Sequence, residues 1–110
     1  GKQAEWCDYY GPIDGETVGL AVLDSPGNFR HPTYWHVRDY GLFAANPFGL
    51  RAFDKSKEAG GHVLKKGESL TLRYRVWLHR GTTEEANVAQ AFAEYANPPK
   101  VELRDARPPG

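Results

Sequence analysis

The chain contains no methionine and a single cysteine, Cys7, so no disulfide can form within it. Its net charge is also nil: Lys and Arg number 14, Asp and Glu number 14, and the two signs are interspersed. That balance excludes a nucleic-acid-binding surface spread over the whole domain, and we expect no nucleic-acid partner. No run approaches the roughly 18 apolar residues of a membrane span, so no membrane partner is expected either. Catalytic signatures are missing as well. There is no GxSxG, no GxxxxGK[ST] frame around Gly60-Gly61, no His-x-His and no helical HExxH. Cys7 falls in a strand-like run with no evident partner, which leaves nucleophilic catalysis little support. No signal peptide is recognisable. The chain opens on Gly1 with AEWCDYYGP, already structured in character, and we expect an N-terminal truncation.

At 110 residues the chain is one domain, residues 1–110, or the C-terminal part of a longer protein. What it has in quantity is strand pattern. Residues 4–10 and 16–24, joined through Asp14-Gly15, read as a β-hairpin. Residues 33–40, 42–45, 50–53 and 100–105 are further strand candidates. Residues 69–80 alternate most cleanly. Leu70, Leu72, Tyr74, Val76 and Leu78 share one face, which the periodicity predicts to be core. Thr82 and Glu85 have capping-box spacing, and a helix is predicted from there to Ala96, with Val88 and Phe92 on its apolar stripe. Alternating βαβ units are absent. The prediction is a mainly β protein, an antiparallel β-sandwich with one C-terminal helix.

Residues 24–49, DSPGNFRHPTYWHVRDYGLFAANPFG, stand apart. Titratable groups (Asp24, Arg30, His31, His36, Arg38, Asp39) alternate there with Tyr34, Trp35, Tyr40, Phe43 and Phe48. A core segment would not need the charges, and a solvated loop would not need the rings. Together they suit a polar ligand. Arg73, Arg75, Trp77 and His79 share the other face of the 69–80 strand and could complete such a site. Arginines take carboxylates or phosphates, and the indole is a flat platform for a sugar's C–H face. General acid–base work falls to His31, His36 or His79, oriented by Asp24 or Asp39. Asn28, Arg30, Tyr34, Arg38, Arg73, Arg75 and Trp77 are the candidate ligand-binding residues. The histidine spacing is not that of a metal motif, so we assign no metal and no cofactor.

The runs NFRHPTYWHVRDYGLFAANPFG and LTLRYRVWLH are long and unusual. Across residues 6–95 the chain resembles the methane oxygenase PmoA-like family, bacterial proteins often encoded beside sugar-processing genes. It is similar to the C-terminal part of those longer proteins. The strand-rich pattern is similar, at fold level, to the large sandwiches of the aldose-mutarotase type, of which this chain could be a part. The resemblance implies a carbohydrate-active or carbohydrate-binding domain with a small, sugar-like ligand, completed by a missing N-terminal part. The alternatives are a copper-type, metal-dependent oxidoreductase, as the family name implies, and a structural module of a larger enzyme.

Overall fold

The computed structural model describes residues 2–48 and 61–98. The chain is mainly β, as expected, with two antiparallel three-stranded sheets and short helices near the C-terminal end. Strands β1 (Lys2–Gln3), β4 (Tyr34–Arg38) and β5 (Leu42–Asn46) form one sheet in the order β1-β4-β5. Strands β2 (Trp6–Ile13), β3 (Glu16–Asp24) and β6 (Tyr74–Arg80) form the other, in the order β2-β3-β6. Rings link the two sheets: Phe43 of β5 meets Tyr9 of β2 edge-on at 6.4 Å, and Trp35 of β4 packs on Phe43 at 6.0 Å. The strand candidates at 50–53 and 100–105 lie outside the described residues.

The hairpin forms where the sequence places it. Ile13 pairs with Glu16, leaving a two-residue turn in which Asp14 (φ 50°) and Gly15 (φ 80°) are both left-handed. Asp-Gly tolerates that conformation, whose twist matches the flanking strands. At the other end of β6, Gly81 also has positive φ, and its N–H donates to the Thr17 carbonyl at 2.7 Å. The capping box predicted at Thr82 and Glu85 is present and starts α1 (Thr83–Ala86). The predicted single helix is instead two. Asn87 adopts φ 55°, ends α1 and begins α2 (Val88–Ala96). Asparagine is among the few residues that accept the left-handed conformation, so it can interrupt a helical pattern that stays apolar on both sides.

The core is small and lies on one face of the β2-β3-β6 sheet. Ala21 and Leu23 of β3 pack with Val88 and Phe92 of α2, flanked by Trp6, Trp77, Ala86 and Tyr95. This reverses the expected facing of β6. Val76 is 63% exposed and Leu78 76% exposed, while His79, from the face expected to be polar, is buried. Leu70 and Leu72 are only half-buried, and they precede the strand, which begins at Tyr74. The reason lies in β3, whose two faces are both apolar. One carries Val18, Leu20 and Val22; the other carries Gly19, Ala21 and Leu23. The helices settle on the small-residue face, where they can approach closely. The partners of that face on β6 are Arg75, Trp77 and His79. Alternation identifies an apolar face; it does not say which face an element will cover.

Candidate functional site

Two histidine–aspartate pairs dominate the polar interior. The first joins the loop after β3 to that strand. His31 Nδ1 lies 2.6 Å from Asp24 Oδ2, and the Asp24 side chain is 1% exposed. The backbone N–H of Thr33 donates to the same oxygen at 3.1 Å, and Asn28 Nδ2 donates to Oδ1 at 2.7 Å. Three hydrogen bonds hold this carboxylate in one orientation. With Nδ1 donating to this carboxylate, the other ring nitrogen, Nε2, is the position left for a lone pair. No hydrogen bond engages Nε2 among the described residues. The ring stacks on Phe92 at 6.2 Å and 10° between planes. Beside it, the Thr33 hydroxyl is buried with no partner among the described residues.

Asn28 ties this loop to the start of β6. Its amide donates to the Arg73 carbonyl at 2.6 Å and accepts from the Arg73 N–H at 2.7 Å, extending the sheet by a side chain. The Ser25 N–H also donates to the Arg73 carbonyl, at 3.2 Å. Asn28, a candidate ligand contact in the sequence, therefore has its amide engaged internally and is buried. The same wiring ties the backbone of Arg73, through Asn28, to the carboxylate that holds His31. On the next turn of the strand pattern, the Arg75 guanidinium lies over the Tyr95 ring at 4.7 Å. Burial, then the nearby Asp24 carboxylate, push the Tyr74 phenol above its ordinary range.

The second pair spans the sheet. His79 Nε2 lies 2.7 Å from Asp8 Oδ1, and Thr83 Oγ1 donates to Asp8 Oδ2 at 2.6 Å. Asp8 thus holds β6 and the first turn of α1 to β2. The His79 ring lies directly over Gly19, where an added Cβ would sit 2.3 Å from Cε1. Burial works against a charge on His79, but the acceptors around it outweigh burial. Asp8 faces one nitrogen, and the Arg80 carbonyl faces the other at 3.3 Å. The net effect raises the His79 pKa above its ordinary value.

The structure distributes the remaining candidates. His36 lies on β4 opposite Ala44, and Tyr34 is buried opposite Asn46, both in the other sheet. Arg38 is exposed and donates to the Val37 carbonyl at 2.8 Å. Arg30, at φ 58°, donates to the carbonyls of Pro47 (3.0 Å) and Gly61 (3.1 Å) and covers Phe29. Trp77 flanks the core and touches the His79 ring at 5.2 Å. Asn28 and His31 share Asp24, and the Arg73 backbone joins them through Asn28. His79 belongs to the other pair, since Asp8 aligns with Ala21 on β3, three residues before Asp24 and about 10 Å along the strand. Asp8, Gly19 and Thr83 carry no motif that would single them out.

A copper-type centre requires converging donors. Among the described residues no group of three or more His, Cys, Asp or Glu side chains could hold a metal ion, and each His–Asp pair supplies only two. The described residues do not fit such a centre. Cys7 does not change this: burial, then the neighbouring Asp8, push its thiol up and away from the thiolate. A hollow of about 850 Å³ lies at the hairpin end of the β2-β3-β6 sheet, away from His31. It is bordered by Tyr9, Leu20, Leu78 and His79 among others.

Fold and site together define a mainly β domain with one His–Asp pair closed by its neighbours and one left open at the imidazole. The chain belongs to a family of unknown function, DUF6807, which matches residues 1–93. No curated protein and no solved structure matches it.

Proposed function

We propose that this is a carbohydrate-active or carbohydrate-binding domain in which His31 faces the ligand. One observation carries the reading. Asp24 fixes Nδ1 of His31 at 2.6 Å and leaves Nε2 without a protein partner among the described residues. An imidazole held in one tautomer with a lone pair free is suited to accept a proton from a sugar hydroxyl, or to hydrogen-bond it. The surroundings support a sugar over an apolar ligand. The half-buried Tyr95 ring offers C–H-stacking surface, and the exposed Arg73 and Arg75 lie beside it on β6 and at its start. The resemblance to PmoA-like proteins encoded beside sugar-processing genes points the same way.

The test is calorimetric titration of a panel of neutral and acidic mono- and oligosaccharides into the chain and its His31→Gln variant. At least one sugar should bind, and the variant should weaken it about tenfold or more, equivalent to ~1.4 kcal/mol. Binding that is unaffected by the substitution, or absent across the panel, sinks the reading.

A further inference from the structure

The side of the β2-β3-β6 sheet opposite the helices carries an apolar surface that the polar-ligand reading does not use. Tyr9, Leu20, Val22, Val76 and Leu78 lie side by side there, since Tyr9 pairs with Leu20, Leu20 with Leu78 and Val22 with Val76. Tyr9 is 45% exposed, alongside the values already given for Val76 and Leu78. This is the pattern of an inner sandwich face; β5 reaches its β2 edge through Phe43 on Tyr9, whereas Val76 and Leu78 on the β6 side stay exposed. Exposed apolar patches beyond a few hundred Å² mark interaction sites on soluble proteins.

We infer that this face is a self-association surface, covered by the same face of a second copy of the chain. Three features favour a copy over an unrelated partner. The centre of the face is uncharged: Arg80 and Glu16 lie only at its hairpin end, so two copies meet there without burying an ion. The chain has zero net charge and a pI near 7.1, so no long-range repulsion keeps copies apart at neutral pH. The face is also extended: Tyr9, Val76 and Leu78 are open to solvent, and Ile13 at 62% exposure continues them toward the hairpin; a stable interface, at about 800 Å² per partner, needs such an extended face. Two sheets meeting through aliphatic faces would pack about 10 Å apart, as the layers of a sandwich do.

The experiment is sedimentation velocity over a hundredfold range of concentration, on the chain, on Leu78→Glu and on Val76→Lys. Circular dichroism on each variant establishes that it is folded. The native chain should sediment as a dimer at the upper concentrations. Both variants, substituted at exposed positions and therefore able to keep the fold, should sediment as monomers. A native chain that stays monomeric throughout overturns the inference, as does a folded variant of either kind that dimerises like the native chain. If one variant fails to fold, the other decides the matter.

Discussion

The two His–Asp pairs use the same residue types at nearly the same distance, 2.6 Å and 2.7 Å, and differ in what surrounds the imidazole. His79 has an acceptor at each nitrogen, glycine beneath its ring and a side chain 2% exposed. Its carboxylate is shared with a helix. His31 has an acceptor at one nitrogen, a phenyl ring alongside and a side chain 12% exposed. One pair is a cross-link between three elements; the other is a mounted imidazole. A His–Asp contact is therefore not in itself a sign of chemistry. The number of ring nitrogens that the protein consumes separates the two cases.

The largest effect should come from the cross-link. Asp8→Ala leaves the buried His79 and the Thr83 hydroxyl without their acceptor and frees α1 from β2. Breaking a buried pair from one side costs about 3–5 kcal/mol. Urea denaturation should show that loss, and a loss below about 1 kcal/mol would remove the cross-link from the comparison. Gly19→Ala comes next. The new Cβ would overlap the imidazole, and overpacking of this kind costs about 1–3 kcal/mol. The cost should largely vanish when Gly19→Ala is made in a His79→Ala background. Additive effects in that cycle would show that the close approach is not what constrains Gly19.

Much of this frame was readable from residues alone. Asp14-Gly15 dictated the hairpin, Thr82 and Glu85 the helix start, and Asp24 was a candidate to orient His31. The failures have physical causes. Leu78 and Val76 alternate as core residues do, but a sheet with two apolar faces presents the same pattern whichever side the helices choose. Asp8 and His79 are 71 residues apart, and no local spacing can foretell a contact that depends on β2, β3 and β6 lying in order. Asn28 is a candidate ligand contact by its place in the polar, aromatic stretch 24–49. Its amide instead completes the backbone pairing of Arg73, a role that depends on chain distant in sequence.

A smaller effect concerns pH. The His79 pKa is raised in the folded chain, so the folded state holds a proton that the unfolded state releases first. The stability this contributes is fully present below the ordinary value of 6.5 and is lost as pH rises through the folded value. Thermal unfolding followed from pH 6 to 9 should therefore show a falling Tm for the native chain. His79→Gln should flatten that slope. An unchanged slope in the variant would assign the pH dependence to another group and remove the double-acceptor distinction between the two imidazoles.

The smallest stability effect belongs to the open pair. His31→Ala removes one hydrogen bond to Asp24, whose two oxygens keep the Asn28 amide and the Thr33 N–H. It also removes a ring that rests on Phe92 rather than one enclosed by backbone. The net value of a single such bond is about 1 kcal/mol, so the variant should unfold close to the native midpoint in urea. His79→Ala, measured alongside, should cost clearly more, because it leaves the buried Asp8 carboxylate with the Thr83 hydroxyl as its one remaining side-chain donor among the described residues and opens the β2–β6 link. Equal costs would mean that His31 is as deeply built into the fold as His79, and the free Nε2 would then be a by-product of packing. A small cost for His31→Ala and a large one for His79→Ala would separate an imidazole held in place for a ligand from one held in place for the sheet.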